Sequence, residues 1–216
     1  GTANPESLRE TQTLQVDVQQ LLRGEANRLA VARAEGRGNL YYTAFMDLAL
    51  PVSQVQALDQ GIMVSRSYYP ISTLEAGERF QNPISEAQQG GLVLVRMTLV
   101  APAALHYVVV DDPLPAGLEA VDQSLKTSPQ TSVPPDYQWD EMFSNGWGWW
   151  YFNHVQLRDE KVVLSADYLP AGTYVYTYLA RATTPGTYQV IPTVAQEFYF
   201  PDVYGRGDGS QFVVNP

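Results

Sequence analysis

Alternation of apolar and polar positions with a period of two is the dominant signal along this chain, and it is clearest near the C-terminus. Tyr174, Tyr176 and Tyr178 alternate with Val175, Thr177 and Leu179, a β-branched and aromatic pattern that predicts a strand. Thr184-Pro185-Gly186 interrupts it, because proline fixes φ and glycine supplies the positive φ of a turn. A second alternating run over 187–194 follows directly, so the two runs predict a β-hairpin. Further strands are predicted over 62–69, 92–100 and 105–110, the last ended by Asp111-Asp112-Pro113. Residues 155–158 and 161–166 flank Asp159-Glu160 as a second hairpin.

The N-terminal part reads less sharply. Leu14, Val16 and Val18 alternate with Gln15, Asp17 and Gln19, predicting a half-buried strand. Leu29 and Val31 begin a second strand, and residues 40–46 form a third after a turn at 35–39. The Gln, Leu, Ala and Arg of residues 16–34 also suit a helix. Gly24 and the Gly36/Gly38 pair cut that helix awkwardly, so strands are preferred. Residues 50–59 read as a connector and 122–138 as a long exposed loop of Ser, Thr, Pro and Gln. No internal repeat is visible.

Composition sharpens this into an all-β expectation. The chain has 216 residues, of which 45% are hydrophobic and 17% charged, enough for a packed core. Its 14 tyrosines, 15 prolines and 16 glycines suit short strands joined by tight turns. A net charge of −10 argues against nucleic acid and against an anionic membrane surface as partners. The absence of cysteine removes disulfides, thiolate metal sites and a cysteine nucleophile from this chain. No stretch approaches the roughly 20 apolar residues of a membrane span. The chain begins Gly-Thr with no signal-peptide pattern and reads as a piece of a longer protein.

The string from Leu169 to Val190, LPAGTYVYTYLARATTPGTYQV, followed by Tyr-Phe-Pro-Asp-Val-Tyr-Gly-Arg, resembles the extreme C-terminus of bacterial α2-macroglobulin-like proteins. Residues 36–42, 58–68, 110–119 and 157–164 resemble the same family in the same order. The resemblance covers roughly residues 27–216. It implies an antiparallel β-sandwich over 58–216, of the terminal macroglobulin-like or receptor-binding type, preceded by a partial CUB-like β-module over 1–57. It further implies a non-catalytic module of an extracytoplasmic endopeptidase trap, one that packs against and shields a thioester domain of the same parent chain. Proteases are then partners of the full-length parent, and unpaired edges of the partial module could let the fragment self-associate. The family's Cys-Gly-Glu-Gln thioester motif is not in this sequence. No cofactor is implied.

Two segments invite a binding role. Arg206-Gly207-Asp208 is an adhesion-type triplet between Gly205 and Gly209, although Tyr-Gly-Arg is also a turn of the resembling family. Trp139, Trp147, Trp149 and Trp150, with Tyr151 and Phe152, could stack on sugars or a protein partner. Alternation sends Trp147 and Trp149 to one face and Trp150 and Phe152 to the other; a buried tryptophan-rich hairpin is the plainer account. These features carry the competing reading, a stand-alone adhesion or carbohydrate-binding β-sandwich. Asp111-Asp112 and Asp159-Glu160 are expected to be turn residues, since neighbours on a strand point to opposite sides. His106 and His154 lack any serine or metal-ligand motif and are read as structural, so no enzyme chemistry is expected.

Overall fold

The computed structural model describes residues 15–22, 24–32, 35, 41, 49–71, 80–122 and 148–216. The chain divides into two compact units, Gly1–Asp47 and Leu48–Pro216. Within the first unit the alternating pattern does not produce strands among the described residues. Val18–Gln20 is a single 3-10 turn closed by Gln20 N–H on the Asp17 carbonyl (2.9 Å). The expected strand at Leu29 and Val31 is irregular, with Val16, Leu22, Leu29 and Val31 all exposed. An alternating run becomes a strand only when a ladder partner and a buried face reward it. The expectations for Leu14, for residues 40–46 apart from Tyr41, for 122–138 apart from Asp122, and for Trp139 and Trp147 lie outside the described residues.

The second unit is all-β. Among the described residues its strands are β1 Leu58–Gln60, β2 Met63–Pro70, β3 Glu86–Gln88, β4 Leu92–Ala101, β5 Leu105–Pro113, β6 Leu118–Ala120, β7 His154–Leu157, β8 Lys161–Leu169, β9 Gly172–Ala182, β10 Gly186–Val190, β11 Val194–Glu197, β12 Tyr204–Arg206 and β13 Ser210–Asn215. They form a six-stranded sheet (β1-β12-β11-β5-β8-β7), a four-stranded sheet (β2-β4-β9-β6) and a three-stranded sheet (β10-β13-β3). Every pairing among these strands is antiparallel except β13 with β3. The expected antiparallel sandwich is therefore present.

One hydrophobic core fills it. Period two brings Val93, Val95, Met97 and Leu99 of β4 to the same face as Tyr174, Tyr176 and Tyr178 of β9. Val108 and Val110 of β5 and Val162, Leu164 and Ala166 of β8 join the same buried core. Val175 and Leu179 are buried too, so β9 is covered on both faces, not half-exposed as alternation alone suggests. The predicted hairpin of 174–194 does not form. Strand β9 already has β4 and β6 on its two edges, and the Thr184-Pro185-Gly186 turn hands the chain to another sheet, where β10 pairs with β13. Pro192, which has no N–H to give a ladder, then separates β10 from β11. The second predicted hairpin does form, with Arg158 N–H on the Lys161 carbonyl (2.9 Å) closing β7 onto β8.

Asp112 corrects another expectation. It lies within β5, 0% exposed, and continues the core face of Val108 and Val110. Arg66 occupies the matching face of β2, between Val64 and Tyr68. Its guanidinium donates to the Asp112 carboxylate (2.5 Å), to the Pro113 carbonyl (2.6 Å) and to the Ile191 carbonyl (2.8 Å). The Tyr178 hydroxyl (2.7 Å) and the Thr193 hydroxyl (2.6 Å) donate to the same carboxylate. Burial opposes the Arg66 charge, but the Asp112 carboxylate, Tyr68 and Tyr178 outweigh it and hold the guanidinium pKa above its ordinary value. Burial, then the Asp112 charge, pushes the Tyr178 phenol well above its usual 10.0.

Removing one member of this pair leaves an uncompensated buried charge. Asp112→Ala is expected to cost about 3–5 kcal/mol, read as a lower urea midpoint, and Arg66→Met with Asp112→Leu to cost less than either single change. Tyr178→Phe is expected to cost about 1.5–3 kcal/mol. The Tyr68 hydroxyl is buried without a hydrogen-bond partner, so Tyr68→Phe should leave the midpoint unchanged or raise it. A raised phenol pKa means that the neutral form is favoured by folding. Stability is then complete below the ordinary pKa and falls as pH climbs through and beyond it. Urea midpoints from about pH 8 to about pH 11 should decline at the alkaline end, and less steeply in Tyr178→Phe.

Candidate functional site

Three consecutive aromatic residues cannot all be buried by a strand whose side chains alternate. Phe198, Tyr199 and Phe200 follow β11 and are 62%, 65% and 67% exposed. They form the tip of the β11–β12 hairpin, held by Glu197 N–H on the Val203 carbonyl (3.1 Å) and Val203 N–H on the Phe200 carbonyl (2.9 Å). The Phe198 and Tyr199 rings meet edge to face at 5.2 Å, and Tyr199 meets Tyr107 of β5 in the same way at 5.2 Å. Tyr107 is itself 52% exposed. Phe200 follows on the same tip, and the four exposed rings make an aromatic prominence where the β11–β12 hairpin meets β5.

Its root is tied twice to β5. Phe198 N–H donates to the Tyr107 carbonyl (2.9 Å), and the buried Glu197 carboxylate accepts from the His106 backbone N–H (2.5 Å). Tyr107 has φ +53°, the one positive value at a non-glycine among the described residues. That left-handed backbone costs about 1–2 kcal/mol for a residue with a Cβ. It steps the strand by one residue: His106 and Tyr107 both face out, and Leu105 and Val108 both face the core. Strand β8 makes the matching step, with Asp167 and Tyr168 exposed between Ala166 and Leu169. The register is Leu105 to Leu169, His106 to Tyr168, then Val108 to Ala166.

The two segments singled out by sequence are placed differently. Arg206-Gly207-Asp208 is not a projecting loop. Arg206 ends β12 and donates to the Gln56 carbonyl (3.1 Å), Gly207 N–H donates to Thr193 (2.9 Å), and Gly209 N–H donates to Val55 (2.9 Å). Asp208 is exposed, but its carboxylate accepts from Ala57 N–H (2.8 Å). Residues 50–59, expected as a connector, are thus built into the sandwich. They hold the Val52–Gln54 turn and β1, which pairs with β12. A cleft of about 280 Å³ opens beside the triplet, lined by Ser65, Ser67, Ser85, Thr193, Asp208 and Ser210.

In the tryptophan segment, Trp149–Tyr151 is a 3-10 turn and not a strand. Alternation fails there: Trp150 is 52% exposed while Phe152 is buried at 7%. Gly148, at φ +80°, lies where a Cβ would come within 2.4 Å of the Tyr174 ring. His106 and His154 are both exposed. The first meets the Tyr168 ring at 5.1 Å with the planes tilted by 46°, and the second shares a hydrogen bond with Gln156 (2.7 Å). Among the described residues no group of three His, Cys, Asp or Glu could hold a metal ion.

Residues 61–202, most of the sandwich and its aromatic tip, match the family described as the bacterial alpha-2-macroglobulin MG10 domain. The chain belongs to that family. As an MG10 domain it is 25% identical over 206 residues to an alpha-2-macroglobulin homolog of Nostoc sp., covering 93% of this chain and 10% of that protein. It is 29% identical to Escherichia coli alpha-2-macroglobulin over 134 residues, 61% of this chain and 8% of the relative. Among solved structures, Salmonella alpha-2-macroglobulin reacted with methylamine superposes with a TM-score of 0.58 at 26% identity, over 77% of this chain and 10% of that one. E. coli alpha-2-macroglobulin activated by porcine elastase gives 0.60 at 25% identity, over 77% and 14%. The chain therefore spans a tenth or less of the alpha-2-macroglobulin relatives it matches.

Sequence reasoning used the Tyr-Phe-Pro-Asp-Val-Tyr-Gly-Arg string for resemblance and missed the exposed prominence it contains. The available signal was the unbroken Phe-Tyr-Phe run before a proline. The glycines nearby separate by the space around them. A Cβ at Gly205 would sit 2.1 Å from the Ile62 carbonyl oxygen and one at Gly209 would sit 1.8 Å from that of Val52, whereas at Gly207 the nearest atom is 3.4 Å away. Gly205→Ala and Gly209→Ala are each expected to cost about 1–3 kcal/mol. Gly207→Ala should stay within about 0.5 kcal/mol of the parent in thermal melts, despite standing at the centre of the triplet.

Proposed function

We propose that this chain is the non-catalytic C-terminal module of an alpha-2-macroglobulin-like endopeptidase trap. Its task is to pack against the thioester domain of its own parent chain and shield it until the bait is cut. The observation that carries the reading is the aromatic prominence of Tyr107, Phe198, Tyr199 and Phe200 on a folded module. Exposed aromatic side chains grouped on a rigid scaffold suit a desolvated contact with another protein surface. A hairpin tip held by backbone bonds loses little conformational entropy on docking.

The family membership supports the trap, and solved relatives include alpha-2-macroglobulin activated by elastase and reacted with methylamine. Of the expected 1–57 module, the part outside the sandwich unit, residues 1–47, fits the role of a partial CUB-like module completed by strands of the parent, which accounts for apolar side chains such as Leu22 and Leu29 lying exposed in this chain. Such a trap acts outside the cytoplasm, where its target proteases are met, and this module brings it no membrane or nucleic-acid contact.

The test uses the full-length parent incubated with a broad-specificity protease. Activity is followed on a large protein substrate and on a small chromogenic peptide. Loss of the first with survival of the second is expected. If the bait is cut and neither activity changes, the trap reading is lost. In a parent carrying Phe198→Ser, Tyr199→Ser and Phe200→Ser together, premature reaction of the thioester with methylamine should accelerate by at least about tenfold, the loss of one to two hot-spot side chains.

A further inference from the structure

We propose that Tyr107 is the positioning residue of the aromatic prominence: its ring buttresses Tyr199, and its left-handed backbone aims the carbonyl that anchors Phe198. The inference rests on the docking reading above and adds the element that presents the docking surface. Three observations meet at this residue. First, Leu105-His106-Tyr107-Val108 contains none of the residues that turns favour, yet Tyr107 adopts φ +53° in mid-strand. Glycine or asparagine would hold that conformation at less cost. Backbone strain of this kind persists where surrounding structure over-determines it, and it gathers at functional sites.

Second, the strained residue is the one that contacts the tip. The Tyr107 carbonyl accepts from Phe198 N–H at 2.9 Å, and its ring meets Tyr199 edge to face at 5.2 Å with an interplanar angle of 90°. Third, the ring has no core duty. Tyr107 is 52% exposed, while the register step it makes is satisfied by Leu105 and Val108 on the buried face. The backbone step needs only a residue that tolerates left-handed φ. The tyrosine ring is additional to that need, and Tyr199 is what it touches.

Backbone and ring can be separated by substitution. Tyr107→Gly keeps the left-handed backbone without strain and deletes the ring; Tyr107→Phe keeps the ring. The measurement is hydrogen exchange at residues 197–203, in the full-length parent and in the 216-residue chain, beside thermal melts of each variant. The wild-type parent is expected to protect these amides relative to the isolated chain. Tyr107→Gly should speed their exchange in the parent by roughly fivefold, the weight of one edge-to-face ring pair, without lowering the melting temperature. Tyr107→Phe should match the wild type. If Tyr107→Gly keeps full protection while the Phe198, Tyr199 and Phe200 triple serine variant loses it, docking stands and the positioning role of Tyr107 is refuted. A melting temperature that falls in step with protection would also refute it, because the residue would then be structural. Equal exchange in the wild-type parent and the isolated chain would remove the docking reading and this inference together.

Discussion

The Arg66–Asp112 ion pair sets the frame on which the rest of the sandwich depends. It joins β2 of the four-stranded sheet to β5 of the six-stranded sheet, and takes in Tyr178 of β9 and Thr193 ahead of β11. Both charges lie on core faces, with side chains 4% and 0% exposed. Two charges removed from water pay a large desolvation penalty, which their attraction offsets only when geometry is good and the remaining hydrogen bonds are made. Here the carboxylate accepts from an arginine, a tyrosine and a threonine, and the guanidinium also reaches two backbone carbonyls. A one-residue slip of either strand would turn its charge outward and leave the other buried alone. The pair therefore acts on register, a specificity that apolar contacts supply only weakly.

That register reaches the surface through a short path. Thr193, bonded to Asp112 through its side chain, accepts Gly207 N–H through its carbonyl. Residues 193–207 are thus pinned at both ends of the β11–β12 hairpin, whose far end is the aromatic tip. Arg206, Asp208 and Gly209 hold the near end against residues 55–57. The triplet that looks like an adhesion loop in one dimension also bonds, through Arg206 and Asp208, to Gln56 and Ala57. Glycines 205 and 209 are required there because a Cβ at either would overlap a backbone carbonyl oxygen, that of Ile62 or of Val52.

Legibility in the sequence follows the locality of the forces. The strands around 62–69, 92–100, 105–110 and 161–166 were readable because alternation and β-branched residues are properties of neighbouring positions. The β7–β8 hairpin was readable for the same reason, since Asp159-Glu160 turns the chain within reach of its own partner. The hairpin expected of 174–194 failed because pairing is a competition: β4 and β6, distant in sequence, hold both edges of β9. Asp112 was misread as a turn residue because nothing nearby announces Arg66, forty-six positions away. Trp150 and Phe152 escaped alternation because Trp149–Tyr151 is a 3-10 turn and Phe152 follows it outside any strand.

By itself, the sequence determined an all-β chain with a large core, no cysteine chemistry, and a C-terminal region resembling the macroglobulin family. Those properties are sums over residue types and short-range patterns, and they survive any arrangement of the strands. Only the tertiary structure decided which carboxylate is buried, which glycines are clamped, and which aromatic residues stand in water. Each of these depends on which distant segment comes to lie alongside, and so on long-range pairing whose loop-closure cost is repaid only when the whole sandwich forms. Phe198, Tyr199 and Phe200 are as apolar as the rings of β9. They stand exposed because they lie at the hairpin tip, past the end of the β11 ladder at Glu197.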